Sequence, residues 1–253
     1  MNLVRKRFAV IGLAALGLAV FAAACSSDDE PSYNKIFQAP PWTAAEMSAY
    51  NLMDRGGHVY GTCTLETKPD FQPGKTQLNR LCGNGPNRDD GSVTVAAKTL
   101  RPIESSRTIA DSKGNKRTVF SASYGEKTVK LTADDNGKTR ETSRDLPQPN
   151  ATSPDPGYYD DDSLLWLARG LRLEKGFEGA YRNITSGNAQ VITVRVKVDG
   201  QERVKVPAGE FATWNIRIDT NSITQRIWVD VEAPHRVVKA RFEDLTYELT
   251  ESK

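Results

Sequence analysis

The chain is expected to be all-β and mainly antiparallel: a single curved sheet or half-barrel of about nine to eleven strands with one short covering helix. Three observations predict this. Apolar and polar residues alternate at period two through most of the chain, which suits strands with one buried face. Turn signals such as Asp134-Asp135-Asn136-Gly137 separate the alternating runs, as hairpins require. Beyond the N-terminus, only the stretch near 161–170 carries helical patterning.

The N-terminus reads as an export signal. Arg5, Lys6 and Arg7 precede an apolar stretch from Phe8 to Val20, then Phe21-Ala22-Ala23-Ala24-Cys25 and the polar string Ser26-Ser27-Asp28-Asp29-Glu30. Cys25 stands where bacterial lipoprotein processing needs a cysteine: its thiol takes a diacylglyceryl group and its freed amine can then be acylated. The segment resembles a lipobox, with Ala22 where leucine is usual. Residues 1–24 are therefore expected to be a removed signal peptide, and 25–41 a lipidated flexible tether ending in Ala39-Pro40-Pro41. Residues 42–253 form the single β domain. Acyl chains at about 0.8 kcal/mol per buried methylene would hold the protein to the outer face of a bacterial membrane. In an organism with two membranes, Ser26 and Ser27, with no Asp at the retention position, favour the outer one.

Removing residues 1–24 takes away three basic residues and no acids, leaving 31 Lys and Arg against 32 Asp and Glu. A near-neutral chain without a basic block interleaved with aromatics is not expected to bind nucleic acid. Apart from Cys25, the cysteines are Cys63 and Cys82, an even pair in an exported protein. A disulfide between them would close a loop of about twenty residues and stabilise by about 3 kcal/mol.

In chain order, Val59, Gly61, Cys63 and Leu65 share one parity; Val93 with Val95, Phe120 with Ala122 and Tyr124, and Val129 with Leu131 repeat it. Ile192, Val194, Val196 and Val198 alternate with Thr193, Arg195 and Lys197, and Asp199-Gly200 reads as a turn. Further runs hold Trp214, Ile216 and Ile218; Ile227, Val229 and Val231; Val238, Ala240 and Phe242; and finally Tyr247 and Leu249. Gly83 to Gly91 and Pro147 to Gly157 read as long loops. Asp160, Asp161 and Asp162 suit a helix N-terminus, Leu164, Leu165, Leu167 and Ala168 its apolar face, and Gly170 its stop. The triplet lacks the alternating spacing of a calcium loop and is read as capping.

A helix is about 10–12 Å across and strands lie about 4.8 Å apart, so one short helix covers little more than two strands. The sheet must curl on itself, form a sandwich, or leave a cavity.

Catalytic and metal chemistry finds little support in the residues. His58 and His235 are the histidines; no Gly-x-Ser-x-Gly elbow accompanies them, and neither has the spacing of a zinc ligand pair. Asp89-Asp90 and Asp134-Asp135 are read as solvated turns. Gly83-Asn84-Gly85 lacks the lysine of a phosphate loop. No metal and no cofactor are expected. Trp228 shares a face with Arg226 and Asp230 and suits cross-strand packing, and Trp42 suits a plug beside the first strand.

The second half carries a motif order: Asp162-Ser163-Leu164-Leu165-Trp166-Leu167-Ala168-Arg169-Gly170, then Val206-Pro207-Ala208-Gly209-Glu210-Phe211-Ala212-Thr213-Trp214, Gln225-Arg226-Ile227-Trp228-Val229-Asp230, and Ala233-Pro234-His235-Arg236-Val237-Val238-Lys239. This order resembles the bacterial domain-of-unknown-function family numbered 3108 and its exported relatives, over about residues 42–250. The resemblance implies a fold similar to the curved half-barrels of lipoprotein and glycolipid carriers, where a concave sheet faces a helical lid. It brings no agreed activity and no catalytic residue.

Three functional readings follow. The first is a non-enzymatic cell-envelope lipoprotein holding a lipid, a lipid-like ligand or an apolar partner segment against its curved sheet. Its ligand-face residues would be Trp166, Trp214, Ile216, Ile218, Val229, Val238 and Phe242. The second is a structural or assembly lipoprotein with a fully self-packed core. The third, an envelope hydrolase, is disfavoured by the missing nucleophile motif.

Overall fold

The computed structural model describes residues 36–111, 117–150, 157–220 and 223–253. Cys25 and the rest of the signal segment lie outside the described residues. The first eight strands are β1 (Glu46–Met53), β2 (Val59–Gln72), β3 (Lys75–Asn84), β4 (Asn87–Ala96), β5 (Pro102–Ala110), β6 (Arg117–Tyr124), β7 (Thr128–Asp135) and β8 (Lys138–Asp145). After β9 (Tyr158–Asp160) come a 3-10 turn (Asp161–Ser163) and helix α1 (Leu164–Arg169). The chain then returns to sheet as β10 (Glu178–Thr185), β11 (Gln190–Val206), β12 (Gly209–Asp219), β13 (Thr224–Asp230), β14 (Val237–Phe242) and β15 (Leu245–Ser252).

All fifteen strands belong to one sheet, in the order β8-β7-β6-β5-β4-β3-β2-β1-β15-β14-β13-β12-β11-β10-β9. Neighbours are antiparallel apart from β9 with β10. The chain starts mid-sheet, walks to one edge, crosses to the other and walks back, so β1 and β15 meet at the centre. The strand number exceeds the expected nine to eleven; β5 and β8, which lack apolar alternation, are two of the strands the pattern does not record. β8 is Lys-Thr-Arg-Glu-Thr-Ser-Arg-Asp and almost wholly exposed, a charged edge that discourages pairing with another chain.

The sheet rolls until its two margins meet through side chains. Ala122, Val129, Leu131 and Leu146 pack on Ile184 of β10. Tyr124 stacks on Tyr158 with ring centroids 6.5 Å apart, and Arg144 Nε donates to the Ala189 carbonyl at 2.9 Å. The expected Asp199-Gly200 turn is instead a bulge between Val198 and Gly200 inside a 17-residue strand. A bulge bends its strand and increases twist, which suits a rolled sheet. The expected Gly83–Gly91 loop is also strand, apart from Gly85-Pro86 at the hairpin tip. Its glycines serve close approach: a Cβ on Gly61 would fall 2.3 Å from the carbonyl oxygen of Gly83 on the neighbouring strand. The Asn136-Gly137 hairpin turn forms as expected, with both residues at positive φ.

The core follows from the register. One row runs Leu52, Tyr247, Ala240, Ile227, Ile216 and Val198 across six strands, each residue buried. Helix α1 lies inside the roll, and all its residues from Leu165 to Arg169 are buried. Asp160 caps the 3-10 turn, accepting from the Asp162 amide at 2.9 Å, as the acidic start suggests. Trp166 Nε1 donates to Thr67 Oγ1 at 2.8 Å. The Arg169 guanidinium pairs with Glu46, donates to the Pro234 and His235 carbonyls and lies over the Trp42 ring. The helix thus plugs one end of the roll. Trp42 stands against that plug, 5% exposed.

Cys63 and Cys82 face each other across β2 and β3 and are joined by a disulfide, with Cα atoms 4.0 Å apart. Reducing it removes a restraint over 19 residues of sequence separation. A stability loss of about 3 kcal/mol is expected on reduction, read as a lower urea midpoint with a phosphine reductant. An unchanged midpoint in fully reduced protein would show that the strand ladder alone sets the local stability.

Candidate functional site

Away from the Arg169 end, the roll holds an open-mouthed cavity of about 700 Å³. Part of its wall is apolar, with Ile192 and Val194 from β11, Ile218 from β12, Phe242 from β14, and Leu164 and Leu165 from the helical segment, while Asn183, Thr185, Gln190 and Gln225 add polar side chains to the same lining. Tyr181 and Tyr247 add ring faces, while the turns around Thr220, Asn188 and Asp244 form the rim. Phe242 and Tyr247 meet edge to face, with centroids 5.6 Å apart, which fixes that wall.

The floor is charged. In register across β3, β4 and β5 stand Arg80, Gly91 and Arg107. Gly91 leaves the gap through which the 3-10 turn reaches in: a Cβ there would lie 3.1 Å from Asp162 Oδ1. Arg107 grips Asp89 with Nε and Nη2, both at 2.7 Å. Arg80 bridges Asp89 at 3.2 Å and Asp162 at 2.9 Å, and its Nη1 lies 3.5 Å from the disulfide sulfur of Cys82. Asp160 accepts from Ser105 Oγ at 2.6 Å and Tyr124 Oη at 2.5 Å.

Burial and neighbours set the electrostatics. Burial would raise the Asp89 carboxyl, but the Arg107 hydrogen bonds and the Arg80 charge bring it down to about 2. Asp160 moves the other way: burial and the adjacent Asp162 push it up to about 6, against its bonds from Ser105 and Tyr124. Asp161 rises well above the usual carboxylate range through burial and the charges of Asp160 and Asp162. Asp161 Oδ1 and Asp162 Oδ2 are buried with no hydrogen-bond partner in the protein. An unmet buried acceptor costs about 1–3 kcal/mol, and more when charged. Among the described residues, Asp160, Asp161 and Asp162 are the group whose carboxylate oxygens lie within 4.8 Å of one another.

The ligand-face residues expected from parity divide. Phe242, half-buried, lines the cavity, as does Ile218, which at 2% exposed also belongs to the packed core. Trp166, Ile216, Val229 and Val238 are at most 1% exposed and belong to the packed core, because the helical plug occupies that part of the concave face. Trp214 is half-buried at the core's margin. Asp89, expected in a solvated turn, is instead the hinge of the floor network. His58 is exposed beside Asp54, and His235 sits in a turn with its Nδ1 3.0 Å from the Asp230 carbonyl. Trp228 Nε1 donates to Glu202 at 2.5 Å, a cross-strand role. The floor went unread in the sequence, although one signal was available: Arg80 occupies the apolar parity between Leu78 and Cys82.

A search of functionally curated proteins gives no match. Among solved structures, the chain is similar to a β-barrel-like DUF1849 protein from Brucella abortus, at 11% identity and TM-score 0.41, over 83% of this chain and 97% of that one. It is also similar to a provisionally assigned lipoprotein from Parabacteroides distasonis, at 10% identity and TM-score 0.32, over 86% and 99% of the two chains. A third similarity is to a provisionally assigned exported protein with a YmcC-like fold from Bacteroides fragilis, at 13% identity and TM-score 0.30, over 86% and 99%. The model of the family described as "Protein of unknown function (DUF3108)" matches residues 83–250, spanning the charged floor apart from Arg80, the helical plug and the second half of the sheet, and the chain belongs to that family.

Proposed function

We propose that this protein is a non-enzymatic, lipid-anchored component of the bacterial cell envelope that holds a ligand with an apolar body, a lipid or lipid-like molecule, inside its rolled sheet. The observation that carries this reading is the cavity of about 700 Å³ with walls of Ile192, Val194, Ile218 and Phe242. That volume lies within the range of about 300–1,000 Å³ typical of small-molecule sites. The first described residues, Ile36 and Phe37, pack at the plugged end, where Phe37 bridges Leu171.

Native mass spectrometry and chloroform-methanol extraction of the purified protein should recover a bound amphiphile, and the emptied protein should take up a fluorescent acyl probe. Ile192→Trp, which narrows the cavity from a half-buried position, should weaken probe binding at least about tenfold while the urea midpoint changes little. Recovery of no amphiphile together with no probe uptake would remove the ligand-holding reading. The packed region around Trp166 favours the second reading, an assembly lipoprotein; that reading predicts crosslinked protein partners and a cavity indifferent to acyl probes.

A further inference from the structure

Among the described residues, the two margins of the rolled sheet share no backbone ladder, and Asp160 of β9 stands where they meet. Its Oδ2 accepts from Ser105 Oγ of β5 at 2.6 Å and from Tyr124 Oη of β6 at 2.5 Å, while its Oδ1 accepts from the Asp162 amide at 2.9 Å. Arg101 closes the same seam, donating to the Tyr158 carbonyl at 3.0 Å with its guanidinium over the Tyr158 ring. Asp160 is 1% exposed, and oxygens of Asp160, Asp161 and Asp162 lie within 4.8 Å of one another. The cations facing this triplet are engaged with other carboxylates. Arg107 holds Asp89 through two nitrogens, and Arg80 holds Asp89 and Asp162. Among the described residues no ion pair joins Asp160 or Asp161 to either guanidinium. The other titratable groups facing the triplet are the phenols of Tyr124 and Tyr181, which burial keeps neutral. Two carboxyls thus sit in the seam beside a third, with no cation of their own. A buried carboxylate without a partner is costly, so the closed seam favours their neutral forms.

We propose that this seam is a pH-sensitive closure of the roll, latched when Asp160 and Asp161 are protonated and loosened when both ionise beside Asp162. Protonation keeps the latch's hydrogen bonds, because the Ser105 and Tyr124 hydroxyls can turn from donor to acceptor. Ionisation adds repulsion that hydration relieves, and water reaches the triplet when β9 moves off β5 and β6. Asp160 stands at about 6 in the folded protein against an ordinary 3.8, through burial and the charge of Asp162. Its contribution to closure is therefore full below the ordinary value and is lost as the pH rises through about 6. Asp161 is raised in the same direction, first by burial and then by its two neighbours. The histidines lie elsewhere, His58 beside Asp54 and His235 beside the Asp230 carbonyl. Asp161 and Asp162 border the cavity, so a loosened latch also loosens that part of its wall. The inference is independent of any ligand.

The test follows amide hydrogen exchange of the mature full-length protein at about pH 5 and about pH 7.5, corrected for the base-catalysed intrinsic rate. Protection of residues 158–163 should fall at least about tenfold between the two, while β13 and β14 change by less than about twofold. Asp161→Asn removes one charge from the triplet and should lessen the fall. Asp160→Asn combined with Asp161→Asn should abolish it. Protection at 158–163 that stays level or rises with pH overturns the inference. An equal fall in β13 and β14 also overturns it, because the whole domain would then be loosening. So does a full-sized fall in the folded double variant, since the titrating group would then lie outside the seam. The wild-type series decides even where the double variant does not fold.

Discussion

Replacing Trp166 with alanine is expected to destabilise the domain by about 3–5 kcal/mol, read as a fall in the urea midpoint at unchanged slope. The side chain is 1% exposed and is the largest of the fully buried side chains. It stands on a six-residue helix that has little stability of its own and is held by what it packs against. Removing the indole leaves a void between the helix and the sheet. It also strips Thr67 Oγ1, itself on a residue 2% exposed, of the Nε1 donor. Trp166→Phe separates the two effects: it keeps most of the volume and loses the donor, so about 1–3 kcal/mol is expected. Domains are commonly stable by about 5–15 kcal/mol, so the alanine variant approaches the limit of folding at growth temperature. A loss below about 1 kcal/mol for the alanine variant would show that the roll closes without its plug.

Period-two alternation made most of the strands legible, because a strand with one buried face writes that face into every second residue. The second half was readable for this reason: Ile192 to Val198 and Trp214 to Ile218 alternate cleanly. β5 and β8 were not, since one is serine-rich and the other has no buried face to record. Parity also says which side a residue faces without saying what covers it. Ile216, Val229 and Val238 lie inward as read, yet they are packed into the core with the plug's Trp166, while Ile218 and Phe242 also border the cavity.

The floor was hidden by a compositional ambiguity. Gly83, Asn84, Gly85, Asp89, Asp90 and Gly91 have the composition of a loop, but here glycine lets β2 and β3 approach closely and lets Asp162 reach between Arg80 and Arg107. The acidic triplet was legible as a helix start and Asp160 does cap. The two residues after it border the cavity, and Asp162 pairs with Arg80, which only three-dimensional neighbours reveal.

Truncating Arg80 should cost about 3–5 kcal/mol, the range for breaking a buried ion pair by removing one partner. Arg80 is 9% exposed and bridges two carboxylates. In Arg80→Met the stem volume stays and the charge goes. Asp162 then stands buried without its cation, while Asp89 keeps Arg107. Adding Asp162→Asn removes the stranded charge, so the double variant should recover part of the loss, and the coupling measured by the cycle reports the pair. The pH dependence follows from Asp89. Burial opposes its charge, yet Arg107 and Arg80 hold it at about 2 against an ordinary 3.8, so its contribution is present above the unfolded value and is lost as pH falls through about 2. Without Arg80 this carboxyl rises back towards its ordinary value and contributes less. The gap between wild type and Arg80→Met should therefore be full above about pH 4 and narrow as the pH falls towards about 2. A gap that stays constant over this range would mean that Arg80 stabilises the floor by packing its stem and that Arg107 alone sets the charge of Asp89.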